Sequence, residues 1–370
     1  EIRLFNPFLT RSWRSLGYLT DFPRLNRRMH NKSLTADNKA TILGGRNIGD
    51  EYFNVTKDTV FADLDILATG NVVTQVSKDF DRYWSSRSAY PISRIIKHGD
   101  AEKGFAELAK IQQKQAEILN NYQQDLEKSP LQKSIKNNSI PWINAYTRLI
   151  SDDPAKALAR DKGKPSINQK LSDALQSPQK EVYLVSPYFV PTKSGMEAID
   201  EMRKRGVNVT VLTNSLQATD VAAVHSGYAR YRKTLLKEGV NLYELKLTHA
   251  VPKSKDRGLT GSSSTSLHAK TFIVEQKGVF IGSLNLDPRS ARLNTEMGVI
   301  INSPKLASEM QRSLVTTTPK YAYKVTLDAY NHLQWQDPES KKIFKKEPEA
   351  SFLKRITAKI LSFLPIEPLL

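Results

Sequence analysis

His30, Lys32, Asp37 and Asn47 recur at the same spacing as His268, Lys270, Glu275 and Asn285. In each set a lysine follows the histidine by two residues and an acid follows the lysine by five. An asparagine stands seventeen after the histidine, and both copies carry a glycine fourteen after it, Gly44 and Gly282. A single His-x-Lys-x4-acid match is within the reach of chance in a chain with six histidines; two that share offsets to Gly and Asn are far rarer. Each set supplies a base or nucleophile, a fixed cation and an amide donor. Those are the parts of a phosphodiester-cleaving site, and two sets facing one another would make it whole.

A phosphodiester resists attack because its anionic oxygens repel nucleophiles. Lys32 and Lys270 neutralise that charge directly, which removes the need for a divalent metal, and no cofactor is expected. Asn47 and Asn285 donate to the same oxygens as charge builds in the transition state. One histidine attacks phosphorus and forms a covalent phospho-enzyme, and the other, protonated, gives its proton to the departing alcohol. The roles then reverse as an incoming alcohol or water displaces the phosphohistidine. Each ring needs a carboxylate on its second nitrogen to fix tautomer and orientation. Asp65 in the first copy and Glu296 in the second are the candidates, ahead of Asp63, and Ser283 joins the orienting set. Asp37 and Glu275 complete the motifs by position. Strand alternation puts them on the face opposite their lysines, which points to structural hydrogen bonding.

The elements that must position these groups read as α/β. Residues 181–186 form a buried strand ended by Pro187 and Pro191, followed by a helix over 194–205, a strand over 207–212, a helix over 220–238 and a strand over 241–243. That alternation argues for parallel or mixed sheets covered by helices. In the first copy 40–45 reads as strand and turn, 61–68 as one strand and 71–84 as a helix. Residues 101–127 read as a helix packed across both copies. The stretch 152–179 reads as polar and loop-rich, with Lys156, Arg160, Lys162 and Lys164 on a solvated face, and 258–266 as a flexible loop. The expected organisation is a first unit at 1–100, a helical connector and linker at 101–179, a second unit at 180–335 and a basic amphipathic tail at 336–370. Aligning the copies on their histidines leaves residues 181–240 without a counterpart, so the first unit is expected to lack its opening strands and helices and to expose a sheet edge.

Composition narrows the partners. Apolar residues make up 39% of the chain, enough for packed cores, and the absence of cysteine excludes disulfides and thiolate metal sites. A net charge of +17 predicts attraction to polyanions, either nucleic acid or an anionic membrane face. No uninterrupted apolar run spans a bilayer. The tail carries apolar residues at 352, 353, 356, 360, 363 and 364 beside three cations, a stripe that either packs on the body or docks on a membrane. Of the other histidines, His98, His249 and His332 read as ordinary surface or packing residues, whereas His225 is a candidate headgroup contact. Arg46 and Arg289, near the asparagines, bind phosphate or form salt bridges.

The two His-x-Lys motifs, with Gly44-Gly45-Arg46-Asn47 and Gly282-Ser283-Leu284-Asn285 trailing them, resemble the duplicated signature of the phospholipase D superfamily. Ser186-Pro187-Tyr188-Phe189-Val190-Pro191 and Asn294-Thr295-Glu296 resemble its second-half pattern. Arg27-Arg28-Met29-His30-Asn31-Lys32 is similar to bacterial cardiolipin synthases without membrane-spanning amino-terminal helices, the third enterobacterial type. Glu275 departs from the aspartate of that pattern. The resemblance implies two pseudo-twofold-related units and a phosphatidyl group passing through phosphohistidine to phosphatidylglycerol, from phosphatidylethanolamine or a second phosphatidylglycerol. It also implies peripheral attachment to the anionic face of the bacterial inner membrane, with an auxiliary protein left open. The alternatives are a lipid hydrolase using water as acceptor, a nuclease of the same superfamily and a non-catalytic membrane scaffold. Two motifs in one chain, an amphipathic tail and 8% aromatics argue against a nucleic-acid groove.

Overall fold

The computed structural model describes residues 1–8, 14–53, 59–96, 99–175, 177–249 and 264–370. Within these, the chain forms two compact units: residues 1–4 with 90–144, and residues 5–89 with 145–370. The loop expected at 258–266 falls mostly outside the described residues, as does His98. The short ribbon of β1 (Arg3–Phe5) and β6 (Ala89–Pro91) is separate from the larger sheets.

The larger unit contains both motifs. In the first copy β2 (Ser33–Ala36), β3 (Ala40–Gly44) and β5 (Asp65–Thr69) form a three-stranded antiparallel sheet, and the helix Asn71–Trp84 follows. In the second copy β13 (Thr271–Val274), β14 (Gly278–Gly282) and β15 (Met297–Asn302) repeat that hairpin and third strand, and the helix Pro304–Tyr321 follows. The second copy continues outward from β13 through β8 (Glu181–Val185), β9 (Asn208–Asn214) and β10 (Asn241–Leu245). Beyond β10 lie β16 (Ala322–Leu327), β17 (Leu333–Gln336) and β18 (Ile343–Phe344). Strand β7 (Tyr146–Ser151) closes the opposite edge beside β15, giving a ten-stranded mixed sheet. Among the described residues, β2 has no neighbour on the edge that β8 covers in the second copy, and Leu34 on it is exposed.

Alternation along the strands builds the core. On β8, Val182 and Leu184 face a cluster with Val209, Val211 and Leu242, over which the helices Thr192–Lys204 and Ala222–Lys237 lay Met196, Ile199, Tyr228 and Leu235. Tyr183 faces the other way, into a cluster where Leu43, Val72 and Val76 of the first copy meet Ile273, Val279 and Ile281 of the second. Burying each such side chain contributes about 1.5–3 kcal/mol, so this shared cluster welds the two copies into one body.

Three readings of the sequence are corrected here. The strand expected over 61–68 is two, β4 (Thr59–Ala62) and β5, broken at Asp63 and Leu64. Strand β4 leaves its own copy and pairs in parallel with β12 (Ser264–Leu267), which also pairs with β11 (Thr248–His249). The stretch after residue 145 is no linker: β7 belongs to the large sheet, Ile167 of the helix Ile167–Leu175 is buried, and Lys156 is buried in an ion pair with Asp152. In the smaller unit the expected helix over 101–127 is divided into Ala101–Lys114 and Ala116–Lys128, with Pro130–Lys136 after them, and none of the three carries a buried residue.

Candidate active site

Each motif begins where the backbone of one copy bonds to the other. The His268 N–H donates to the Ala62 carbonyl at 2.8 Å, and the His30 N–H donates to the Thr295 carbonyl at 2.9 Å. The residue after each acceptor is an acid. Asp63 Oδ2 lies 2.6 Å from His268 Nδ1, and Glu296 Oε2 lies 2.8 Å from His30 Nδ1. The carboxylates are therefore exchanged: each copy orients the histidine of the other. With Nδ1 on its carboxylate, each ring has Nε2 left for other contacts; at His268 that nitrogen lies 3.1 Å from Lys270 Nζ.

This geometry corrects the assignment of Asp65. Its carboxylate accepts from Arg46 Nε at 2.6 Å, which occupies that guanidinium, and it pairs across the strand with Gly44. Asp63, two residues earlier in the break between β4 and β5, takes the orienting position. Glu296 is at an orienting position as expected, but on His30. Ser283 donates to the same Glu296 oxygen and accepts from the Met297 N–H.

The glycine fourteen residues after each histidine has the same cause in both copies. A Cβ on Gly44 would collide with Asp65 Oδ1, and one on Gly282 would collide with the Met297 carbonyl. In each case the strand that follows the orienting acid passes too close for a side chain.

The lysines are held alike. Lys32 Nζ donates to the His30 carbonyl at 2.6 Å, and Lys270 Nζ donates to the His268 carbonyl at 2.5 Å. Burial pushes the Lys32 ammonium down to about 8 and the Lys270 ammonium down to about 7, against the pull of nearby carboxylates. Burial and the adjoining Lys270 push the His268 ring down to about 4. Burial alone would raise Asp63, but its bond to His268 holds it below the ordinary carboxylate range; the charge and hydrogen bond of His30 do the same for Glu296. Lys32 is felt at His268 and Glu296 at Lys270, so the two constellations share one field.

Asn47 donates to the Tyr52 hydroxyl at 2.7 Å, and that hydroxyl lies 3.4 Å from His268 Nε2. Asn285 is buried, and its amide oxygen has no hydrogen-bond partner. Asn47 thus reaches the histidine of the other copy through Tyr52. Tyr52 and Phe61 wall the His268 ring, at centroid distances of 5.0 and 5.2 Å. The sequence reading missed this aromatic wall; no spacing rule links residues 52 and 61 to 268. It also missed Asn214, whose amide binds both the N–H and the carbonyl of Leu267 at 3.0 Å and so fixes the backbone entering the second motif.

The acids of the motifs lie elsewhere. Asp37-Asn38 and Glu275-Gln276 are the central residues of two hairpin turns, all four with φ between 51° and 58°. Positive φ at both centres is the geometry that matches the strand twist of a tight hairpin. Asp37 is exposed. Glu275 Oε1 accepts the N–H groups of Gln179, Lys180 and Glu181 at 2.8, 2.6 and 3.2 Å, pinning the start of β8. The first copy shows no such strand among the described residues, which accounts for the longer acid in the second copy alone. Neither acid belongs to the site.

Other expectations resolve similarly. His225 is buried, with Nε2 2.9 Å from an Arg232 guanidinium that is itself ion-paired to Glu244 and Glu347, so it faces no headgroup. Arg289 donates to Asn26 Oδ1, at 2.5 Å through Nη2. Among the described residues no group of acids and histidines has the arrangement of a metal site.

Two histidines, each on an exchanged carboxylate and beside its own lysine, are the arrangement that the resemblance to phospholipase D-like proteins leads one to expect. A family model described as "Cardiolipin synthase, PLD-like domain" matches residues 171–316. Cardiolipin synthase C of Escherichia coli is 45% identical over the whole of this chain, which spans 79% of that protein. An uncharacterised Helicobacter pylori protein is 32% identical over 99% of this chain and 72% of its own length. The crystal structure of Haemophilus influenzae phosphatidylserine synthase, 14% identical, shares the fold with a TM-score of 0.56 over 92% of this chain and 71% of that one. The chain belongs to the cardiolipin synthase family of phospholipase D-like proteins.

Proposed function

We propose that the protein is a phosphatidyltransferase that makes cardiolipin from phosphatidylglycerol and a phosphatidyl donor, phosphatidylethanolamine or a second phosphatidylglycerol. The observation that carries the reading is the exchanged pairing of His30 with Glu296 and His268 with Asp63. It makes the centre a product of both copies and keeps Nε2 of each ring off the carboxylate.

In this reading His268 is the nucleophile. It is the more buried ring, pushed down to about 4, so it is neutral near pH 7 with its lone pair at Nε2. His30, half-exposed on the Glu296 carboxylate, is the proton donor. Nε2 of His268 forms a bond to phosphorus as the bond from phosphorus to the headgroup oxygen breaks, and that oxygen takes the proton from His30. Lys32, Lys270 and the asparagines stabilise the charge on the equatorial oxygens. His30, now neutral, takes the proton from the primary hydroxyl of phosphatidylglycerol. The new oxygen–phosphorus bond forms as the nitrogen–phosphorus bond breaks, which regenerates both rings.

Peripheral attachment to an anionic membrane fits this chemistry, and no described helix is long and apolar enough to cross a bilayer. The test is radiolabelled phosphatidylglycerol in mixed vesicles, alone and with phosphatidylethanolamine. Labelled cardiolipin that disappears in His268→Ala supports the synthase. Phosphatidic acid as the main product makes the protein a hydrolase. Plasmid nicking without lipid turnover makes it a nuclease.

A further inference from the structure

The tail helix Phe352–Leu361 is turned the opposite way from an ordinary surface helix. Such a helix buries its apolar stripe on the body and sends its charges outward. Here Ala358 is 8% exposed and packs with Leu216, while Phe352, Leu353, Ile356 and Ile360 face out. Phe352 is 76% exposed, as is Phe363 just beyond the helix, and Leu364 continues the stripe. Two of the three cations turn inward. Lys354 Nζ donates to the Gln217 and Thr219 carbonyls at 3.0 and 3.1 Å, and Arg355 donates to the Glu347 carbonyl.

The orientation is fixed at both ends. The Ser351 hydroxyl caps the helix by accepting from the Lys354 N–H. Arg230 donates to the Ser362 and Leu364 carbonyls at 2.6 Å each, and the Tyr231 hydroxyl donates to Glu367. Leu370 is buried with Val190 and Val224, and its carbonyl accepts from the Arg289 N–H. A helix anchored in this way holds its apolar stripe in water when alone, which is a standing cost of hydration.

From the inner face of the helix, a run of contacts leads toward the chemistry. Thr219, held by Lys354, precedes Asp220, whose carboxylate accepts from the Tyr188 hydroxyl. Tyr188 senses Tyr52 and Asp287, and Tyr52 touches His268. The chain from Ser351 to Leu364 contains no acid, and Lys345, Lys346 and Lys359 around it are exposed. Contiguous apolar groups with exposed Lys359 among them and Lys345 and Lys346 before them complement an anionic lipid surface, with Glu347 turned onto Arg232 and Glu349 the exposed acid between.

We propose that the outward stripe Phe352, Leu353, Ile356, Ile360, Phe363 and Leu364 inserts into the headgroup layer of an anionic bilayer and sets the active site against it. The occupant is lipid, and the inference deepens the reading of the protein as a lipid phosphatidyltransferase. Inward Lys354 and Arg355 are struts of the wedge; Lys359, Lys345 and Lys346 meet the headgroups.

The test keeps binding apart from catalysis by using the His268→Ala chain in flotation with phosphatidylethanolamine–phosphatidylglycerol vesicles. Changing the exposed Phe352, Ile360 and Phe363 together to serine should lower vesicle partitioning by at least about tenfold. Lys359→Glu should lower it only a few-fold and lose its effect at high salt. With His268 intact, the triple-serine variant should turn over vesicle lipid more slowly yet act normally on monomeric short-chain phosphatidylglycerol. Phe363→Trp gives a second readout: its fluorescence, taken as the difference from the parent, should shift to the blue and be quenched by brominated acyl chains. Unchanged partitioning of the triple-serine variant overturns the proposal, as does a Phe363→Trp signal indifferent to lipid. A parent that self-associates without vesicles while the triple-serine variant is monomeric and still binds them assigns the stripe to a second copy and also overturns it. Vesicle binding with no lipid turnover by the His268-intact chain would instead sink the enzymatic reading and leave the wedge standing.

Discussion

The two copies of the motif have the same spacing but different surroundings. His268 sits behind Tyr52 and Phe61 with its side chain 9% exposed, and Lys270 is fully enclosed. His30 has 24% of its side chain exposed and Lys32 is only half-buried. Burial penalises the charged form of a base, so one sequence pattern yields a ring whose charged form is disfavoured and a second, more open ring. The histidine and lysine are the same in both copies, yet the two rings sit in different environments. The cause is the wall around each copy.

The largest effect should come from the rings themselves. His30→Ala and His268→Ala should each lower turnover by about a thousandfold or more, because groups that act as a unit fail together. They should differ in which step is lost: with a donor carrying a nitrophenol leaving group, which needs no proton, His30→Ala should keep the first step and His268→Ala should not. Equal first-step loss in both variants would erase the asymmetry.

The exchanged carboxylates come next. Asp63→Asn and Glu296→Gln should each reduce kcat by about a hundredfold or more while leaving KM within a few-fold, as expected when an orienting acid no longer fixes its ring. Asp65→Asn should leave kcat nearly unchanged and lower the melting temperature through Arg46. A large loss of kcat in Asp65→Asn with a mild effect in Asp63→Asn would restore the assignment that the structure corrects.

The pH profile sharpens the comparison further. His268 is active when neutral, above about 4, and Lys270 when charged, below about 7. As pH rises through 7 the free enzyme loses a cation from the phosphate site, so kcat/KM should fall on the alkaline side from about pH 7, with Lys32 adding to the fall near 8. Bound phosphodiester favours the ammonium, so the limb in kcat should lie higher than that in kcat/KM. Lys270→Arg should move the alkaline limb up by about one pH unit, to that of Lys32, in any residual activity. An acid limb near 6.5 instead of near 4 would mean that His268 is not shielded.

The smallest effects belong to the motif acids. Asp37→Asn should leave activity within about threefold and stability nearly unchanged. Glu275→Gln should likewise spare activity but cost about 1 kcal/mol of stability, since three backbone N–H groups lose a charged acceptor. Urea titration beside a steady-state assay separates the two readouts.

The sequence carried the histidines, lysines and asparagines as a pattern, because repetition at fixed spacing survives folding unchanged. The βαβαβ lead-in of the second copy was legible for a similar reason: apolar periodicity and the prolines at 187 and 191 are local signals. Asp63 was not legible against Asp65. Residues two apart on one strand share a face, and only the break at Asp63–Leu64, with β4 crossing to β12, separates their roles. The exchange of carboxylates was out of reach for a related reason: alternation says which face an acid takes, never whose histidine it meets. In the tail, periodicity gave the apolar stripe and left its direction open. Backbone carbonyls of residues 217, 219 and 347 decide that direction by taking Lys354 and Arg355 inward.

The central claim is one site built from both copies, with His268 forming the bond to phosphorus. The most direct measurement is mass spectrometry of the His30→Ala protein, quenched with denaturant at neutral to mildly alkaline pH after mixing with a nitrophenol-activated phosphatidyl donor. The account predicts a stable phosphatidyl adduct on the peptide containing His268, absent from His268→Ala. An adduct on His30 in the parent protein, or product formed with no adduct on either histidine, would contradict it.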